Sequence, residues 1–165
     1  MFVIVMGVSG SGKSTIAKLL AARLGLPFED ADDYHSPESR AKMGSDVALS
    51  DSDRWPWLER LAELAATWVA QGGAVLACSA LKQAHRAALT KYVPEYRIVY
   101  LELPRAVAER RLEGRRGHHE FIRAFDHLLD GQYQDLEPPS EGLWVSAELS
   151  PSEIVERVVS LLESP

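Results

Sequence analysis

The residues best suited to chemistry stand near the amino terminus, in the run Gly7-Val-Ser-Gly-Ser-Gly-Lys13-Ser14-Thr15. Glycines at positions 7, 10 and 12 allow consecutive backbone N–H groups to turn inward around phosphate oxygens without Cβ atoms in the way. Lys13 can reach the outer phosphates of a nucleotide, and the Ser14 hydroxyl can bind Mg²⁺. The pattern GxxxxGKS therefore predicts a loop that binds nucleotide phosphates.

The elements around this loop agree with that interpretation. An apolar strand at 2–6 precedes it, and a helix follows whose positive N-terminus favours an anion. Further strands are predicted to begin at Phe28 and to cover 74–78, 97–103 and 143–146, with helices between them. Strands that alternate with helices predict an α/β fold in one domain over 1–165, a three-layer α/β/α arrangement around a five-stranded parallel sheet.

Polar residues follow two of the predicted strands, where ligands of such sheets bind. Asp30, Asp32, Asp33 and His35 come after the second strand; Ser79, Lys82, His85 and Arg86 come after the third. Phosphoryl transfer to an alcohol needs a carboxylate that accepts the hydroxyl proton and cations that hold an anionic acceptor. Asp32 and the pair Lys82 and Arg86 fit these roles. No Asp follows the third strand, so Asp32 is also expected to help hold the metal, through water.

A basic stretch punctuated by glycines lies between Glu109 and Arg123. Small kinases close a lid over the nucleotide so that arginines contact its phosphates and water is excluded. This stretch therefore predicts a mobile lid at about 110–125. The adjacent His118 and His119 are not expected to bind a metal, because no third ligand is evident.

Composition limits the remaining classes of function. The 165 residues carry a net charge of −6, which argues against a nucleic-acid-binding surface, and contain one cysteine, which excludes an internal disulfide. Cys78 is expected to be buried in a strand. The apolar run at 2–6 is neither a signal peptide nor long enough to cross a membrane, so we expect a cytoplasmic protein without a membrane partner. A homodimer is left open.

Motifs along nearly the whole chain resemble those of the gluconate kinases, a family of P-loop small-molecule kinases. The phosphate loop is similar to the family's GVSGSGKS, and Asp30-Ala-Asp-Asp-Tyr-His35 resembles its D-[GA]-D-x-x-H. Residues 49–58 resemble PLxDxDRxPWL, residues 78–86 resemble CSALKxxYR, and residues 132–138 resemble the QFxxLExP part of its next motif. Departures are Asp46 for a Gly, His85 for a Tyr, and a longer spacing after Gly117.

The resemblance implies ATP-dependent phosphorylation of the 6-hydroxyl of D-gluconate, with Mg²⁺. It implies catalytic roles for Lys13, Asp32, Arg111 and Arg115, the two arginines lying in the lid. The residues expected to bind ATP are Gly7, Ser9, Gly10, Ser11, Gly12, Lys13, Ser14, Thr15, Arg111 and Arg115. Those expected to bind the acceptor are Asp32, His35, Arg54, Lys82 and Arg86, and those expected at the metal are Ser14 and Asp32.

Two alternatives remain open at this point. One is a shikimate kinase or another small sugar-acid kinase, which shares an Asp after the second strand and an anionic hydroxylated acceptor. The glycines at 72 and 73 do not favour shikimate, because they precede the third strand instead of following it. The other is a nucleotide-binding switch without acceptor chemistry, which would have no need of Asp32, Lys82 and Arg86 beside the loop.

Overall fold

A computed structural model describes residues 1–45, 47–115 and 122–163, and within these it does not describe the side chains of 115 and 122–126. The five strands are β1 (Phe2–Met6), β2 (Phe28–Asp30), β3 (Ala74–Ala77), β4 (Arg97–Glu102) and β5 (Leu143–Ser146). The helices are α1 (Lys13–Leu24), α2 (Pro37–Gly44), α3 (Asp51–Ala70), α4 (Gln83–Thr90), α5 (Arg105–Arg115), α6 (Ile122–Asp135) and α7 (Pro151–Glu163). A 3₁₀ helix covers Ala31–Tyr34.

The strands form one parallel sheet in the order β2-β3-β1-β4-β5, which confirms the predicted sheet. Parallel pairing sets Ile4 of β1 beside Leu76 of β3 on one side and beside Ile98 of β4 on the other. All five residues of β1 are buried, as expected for a central strand covered on both faces.

Each face of the sheet has its own apolar core. Val3 and Val5 point to one face, where they pack with residues of α1, α5, α6 and α7. Phe2, Ile4 and Met6 point to the other, where α3 and α4 cover them. This alternation follows from the two-residue period of a strand, and it produces the three-layer α/β/α arrangement.

The helix ends follow the capping residues in the sequence. The Ser50 side chain accepts from the Asp53 N–H while the Asp53 carboxylate accepts from the Ser50 N–H, a capping box that begins α3. Gly25 ends α1 in the left-handed conformation. Ser150 and Glu153 make the same reciprocal contacts at the start of α7. Serine followed by an acidic residue three positions later favours a helix start, and glycine favours a helix end, so the sequence accounts for these ends.

Several boundaries differ from the prediction. The 3₁₀ helix and α2 were not predicted, because neither carries a sustained apolar stripe; Ser39 is the buried residue of α2. The helix after β3 begins at Gln83, so Leu81 precedes it and Lys82 is its N-cap residue. Pro104, a residue type that favours the first position of a helix, stands one residue before α5, and its carbonyl accepts from the Val107 N–H.

The direction of the chain after the central strands creates a crevice. β1 and β3 are neighbours, but α1 follows β1 onto one face while α4 follows β3 onto the other. Such a switch point leaves a gap beyond the carboxyl ends of the two strands. Within the described ranges, no helix is both long and apolar enough to cross a bilayer.

Candidate active site

A cavity of about 430 Å³ lies beyond the carboxyl ends of β1, β2 and β3, a size that suits a small-molecule ligand. Its walls come from the phosphate loop, the strand ends, the segment around α2, the start of α3, and α6. The lining residues are Ser9, Lys13, Ser14, Asp30, Asp32, His35, Met43, Val47, Ala48, Leu49, Arg54, Trp57, Ala77, Cys78, Ser79, His127, Leu128 and Gln132.

The loop after β1 has the backbone that its glycines predict. Gly12, the N-cap residue of α1, has a φ of 89°, in the left-handed region that favours glycine. A Cβ at Gly7 would lie 2.7 Å from Ser11 Oγ and 3.0 Å from the Leu101 carbonyl oxygen, so a side chain there would push the loop off β4. The loop therefore needs glycine at both positions.

The loop residues predicted to bind ATP differ in their exposure to the cavity. Ser9, Lys13 and Ser14 line it, and Lys13 Nζ donates to the Val8 carbonyl oxygen at 3.1 Å, so the ammonium lies across the loop. Ser11 is buried beneath the loop and Thr15 is exposed. The contacts of all of them with ATP stay predictions.

The Ser14 hydroxyl, expected at the metal, contacts the Asp30 carboxylate, which was not predicted to lie there. Ser14 Oγ donates to Asp30 Oδ2 at 2.7 Å. Asp30 ends β2, beside α1, whereas Asp32 follows in the 3₁₀ helix. The structure thus brings Asp30, instead of Asp32, onto the Ser14 hydroxyl, and the metal role of Asp32 stays a prediction.

Asp32 faces the cavity with most of its carboxylate exposed. His35 Nε2 lies 3.7 Å from Asp32 Oδ1. The His35 imidazole lowers the pKa of Asp32 below its usual 3.8, against the opposing effect of burial, and the charges of Lys13 and Arg40 lower it further. Asp32 is therefore a carboxylate at neutral pH and can accept a hydrogen bond from a hydroxyl in the cavity.

A stacked pair of rings forms the wall behind Asp32. The His35 and Trp57 rings lie 4.3 Å apart at 16°, and Trp57 Nε1 donates to the Ala31 carbonyl oxygen at 2.8 Å. His35 Nδ1 is buried without a hydrogen-bond partner among the described residues. Because the tryptophan comes from α3, this stack fixes the start of α3 against the segment that carries Asp32.

Arg54 and Lys82 share two carboxylates at the outer wall. Arg54 Nη1 lies 3.3 Å from Asp51 Oδ1 and 3.8 Å from Asp135 Oδ2. Lys82 Nζ lies 3.3 Å from Asp51 Oδ2 and 3.4 Å from Asp135 Oδ1. Arg54 lines the cavity, whereas Lys82 does not. The structure therefore brings Arg54, His35 and Asp32 to one cavity. Lys82 lies outside the cavity lining and is joined to Arg54 through the carboxylates that both contact.

Arg86 has a different environment from the one expected of a substrate-binding residue. It is buried, and its Nη1 donates at 2.9 Å to each of the carbonyl oxygens of Ala80 and Leu81. Ala80 has a φ of 42°, a conformation that is unfavourable for a residue other than glycine. Arg86 thus braces the loop after β3 and does not line the cavity. Its contact with an acceptor stays a prediction.

We expect Arg86→Lys to lower the free energy of unfolding by about 1–3 kcal/mol. The lysine side chain is shorter than that of arginine, so its ammonium cannot donate to the carbonyl oxygens of both Ala80 and Leu81 in the same geometry. Urea unfolding measures this loss. Arg23→Lys is a matched control, since Arg23 is exposed on α1. A large rise in KM for the acceptor with unchanged stability would contradict the bracing role and favour direct binding.

Of the two lid arginines, Arg111 contacts the phosphate loop. Its Nη1 donates to the Gly10 carbonyl oxygen at 3.1 Å and its Nη2 donates to the Ala147 carbonyl oxygen at 2.6 Å. The side chain of Arg115 and residues 116–121, with His118 and His119, lie outside the described part of the chain, as does Asp46. The predicted lid is therefore not described as a whole.

Sequence reasoning assigned no role to several lining residues. Gln132 and His127 come from α6, a helix that was not predicted, and Gln132 contacts the phosphate loop. Trp57 was noted only as part of the segment that resembles PLxDxDRxPWL, with no role of its own. Gln132 likewise stands at the start of a family-like motif, which was the sequence signal that could have pointed to it.

Cys78 lines the cavity, but its thiol is not reactive at neutral pH. Only 2% of it is exposed, and burial raises the pKa of its thiol to about 12. The thiolate is therefore negligible at neutral pH. The burial of Cys78 was predicted, whereas β3 ends at Ala77, one residue before it.

Comparisons with known proteins agree with this geometry. A family model described as an AAA domain matches residues 2–139. The chain is 45% identical to a probable gluconokinase of Rattus norvegicus, over 83% of this chain and 82% of that protein. It is 37% identical to a gluconokinase of Arabidopsis thaliana, over 96% and 90% of the two chains.

Solved structures give the same result. The crystal structure of a gluconokinase from Sinorhizobium meliloti 1021 superposes with a TM-score of 0.85 at 34% identity, covering 96% of this chain and 89% of that one. The resemblance thus extends through sequence, sheet and phosphate loop, and the chain belongs to the gluconokinase family of P-loop kinases.

Proposed function

We propose that the protein transfers the γ-phosphoryl group of ATP to the 6-hydroxyl of D-gluconate, giving 6-phospho-D-gluconate and ADP. The observation that carries this proposal is that Lys13 and Ser14 of the phosphate loop line the same cavity as Asp32 and Arg54. A nucleotide-binding switch would need only the first pair. The names of the relatives supply the identity of the acceptor.

On the nucleotide side, backbone N–H groups of the loop and the N-terminus of α1 bind the phosphates. Lys13 stabilises charge that develops on the outer phosphates during transfer. Its ammonium lies at the loop, 3.1 Å from the Val8 carbonyl oxygen, and Lys13 lines the cavity.

The residues present fit a magnesium ion. Mg²⁺ prefers oxygen ligands, keeps several waters and takes few ligands from the protein. The Ser14 hydroxyl and the Asp30 carboxylate, 2.7 Å apart at the cavity, offer such oxygens. Ser14 would hold the ion directly and Asp30 would hold it or its waters. When bound, the ion would neutralise phosphate charge during transfer.

On the acceptor side, Asp32 orients the 6-hydroxyl and accepts its proton as the new O–P bond forms. The stacked His35 and Trp57 rings hold Asp32 in place from behind. Arg54 is the one arginine among the described lining residues, and it therefore binds the gluconate carboxylate. Asp51 and Asp135 keep its guanidinium at the outer wall.

Arg54→Gln is expected to raise KM for gluconate at least about tenfold, near the 1.4 kcal/mol of one charged hydrogen bond, with little change in KM for ATP. Steady-state kinetics with each substrate varied in turn measures both constants. Arg60→Gln is the matched control, because Arg60 lies two turns along α3, exposed and away from the cavity. An unchanged KM for gluconate would place the carboxylate elsewhere, with Lys82 the next candidate.

A coupled ADP-release assay with D-gluconate, other aldonic acids, shikimate and nucleosides tests the proposed function. We expect turnover to rise with D-gluconate and to stay at the acceptor-free level with shikimate and nucleosides. Preference for shikimate or another acid would replace the acceptor. Turnover that responds to none of them would support a nucleotide-dependent switch.

A further inference from the structure

Gln132 of α6 makes a two-point contact with the phosphate loop. The Ser9 N–H donates to Gln132 Oε1 at 2.7 Å, and Gln132 Nε2 donates to Ser9 Oγ at 3.1 Å. Because a backbone N–H can only donate, the amide oxygen must face it, and the amide nitrogen is then directed at the hydroxyl. Both residues line the cavity. A single side chain thus fixes both the backbone and the hydroxyl of Ser9.

Ser9 lies where the phosphate loop meets the acceptor cavity. Its neighbour Gly10 is held through its carbonyl oxygen by Arg111 of α5. Helix α5 therefore contacts Gly10 through Arg111, and α6 contacts Ser9 through Gln132. The Ser9 N–H is thus engaged by Gln132, and the Ser11 N–H donates to the Val8 carbonyl oxygen at 3.2 Å.

The same helix is fixed to the acceptor wall one turn later. Asp135, three residues after Gln132, lies 3.4 Å from Lys82 Nζ and 3.8 Å from Arg54 Nη1. Beyond the helix, Glu137 accepts from the Gln83 N–H at 2.7 Å and donates its own N–H to the Leu81 carbonyl oxygen at 2.9 Å. This end of α6 thus joins the phosphate loop to the acceptor wall.

We propose that Gln132 is a positioning residue for phosphoryl transfer, a role that rests on the proposed function. By holding Ser9 against α6, it keeps the phosphate loop and the acceptor wall at the separation that in-line transfer needs. Displacement of reacting groups by about 1 Å can cost about 10²-fold in rate, while ground-state binding by Lys13 and Arg54 continues. Loss of Gln132 therefore lowers kcat and leaves substrate binding nearly unchanged.

Gln132→Met tests this role, because it keeps the length and most of the volume of the side chain and removes both hydrogen bonds. We expect kcat to fall about tenfold, with KM for gluconate and Kd for ADP within about twofold of wild type. Ser9→Ala removes only the hydroxyl contact and should cost less. The double variant Ser9→Ala/Gln132→Met should be no slower than Gln132→Met alone, within about twofold, because the two residues act as a pair.

Tyr133→Phe is the matched control. Tyr133 follows Gln132 on α6, and its hydroxyl donates to the Leu103 carbonyl oxygen at 2.6 Å, outside the cavity lining. We expect this variant to lose stability in a thermal melt and to keep the wild-type kcat. An equal fall of kcat in Tyr133→Phe and Gln132→Met would assign the effect to a loosened helix and overturn the proposal.

Two further results would overturn the role of Gln132. One is a folded Gln132→Met variant with wild-type kcat. The other is a double variant whose loss of kcat equals the product of the losses in the two single variants. If Gln132→Met does not fold, Gln132→Asn replaces it in the single and double variants, and the same result overturns the role. The role of Gln132 is judged only by comparing the variants with an active wild type. A wild-type protein that binds ADP but does not phosphorylate gluconate would therefore count against the proposed function.

Discussion

Lys13→Ala is expected to reduce phosphoryl transfer by about 10²–10³-fold or more while the protein stays folded. The lysine contributes charge at the phosphates, and its Nζ donates a hydrogen bond to the Val8 carbonyl oxygen. The apolar side of α1 that holds the fold consists of other residues, such as Ile16 and Leu20. Steady-state turnover, together with a thermal melt, measures both parts of this prediction.

Lys18→Ala is the control for Lys13→Ala. Lys18 lies on the same helix, exposed, with its ammonium 5.2 Å from the centre of the Phe28 ring. It should retain the wild-type kcat. Near-normal turnover in Lys13→Ala would remove the phosphate loop from the mechanism, and an unfolded Lys13→Ala variant would show that the lysine is needed for the fold.

Asp32→Asn is expected to lower kcat by at least about 10²-fold, the usual scale of general base catalysis, with smaller effects on nucleotide binding. The amide keeps the shape of the carboxylate but cannot accept the proton of the 6-hydroxyl. Asp33→Asn is the control, because Asp33 is the adjacent exposed carboxylate and does not line the cavity. Equal losses of kcat and of ATP affinity in Asp32→Asn would make Asp32 chiefly a metal-site residue.

The pH dependence of stability and of kcat/KM provides a second test of Asp32. Its pKa is lowered in the folded protein, so its stabilising contribution is present above the unfolded value of 3.8 and is lost as the pH falls through the folded pKa. For the same reason, Asp32 should produce no acid limb in kcat/KM until the pH falls below 3.8. An acid limb near neutral pH that disappears in Asp32→Asn would contradict this assignment.

The sheet and the phosphate loop were predictable because their determinants are local. A fully apolar strand, glycines at 7, 10 and 12, and a helix behind them specify one strand, one loop and one helix. The capping box at Ser50 likewise fixes where α3 begins. The structure confirms the five strands and their alternation with helices, whereas α2 and α6 were not predicted.

The outer parts of the site were less predictable because their contacts are remote in sequence. Gln132 and Ser9 lie 123 residues apart, and no local pattern signals their contact. From the sequence, the charge of Arg86 suggests that it binds an anionic ligand. In the structure, its guanidinium instead donates to the carbonyl oxygen of Ala80, a residue with left-handed backbone. Asp30 and Asp32 are two residues apart, and only the geometry shows which of them contacts Ser14.

The identity of the product is the measurement that tests the central claim most directly. The purified protein, incubated with ATP, Mg²⁺ and D-gluconate, should form one phosphorylated acid, and ³¹P–¹H correlation by NMR should connect its phosphorus to the two protons on C6. The amount should equal the ADP released. Release of ADP without a phosphorylated acid, or phosphorus coupled to a different carbon's proton, would contradict the account.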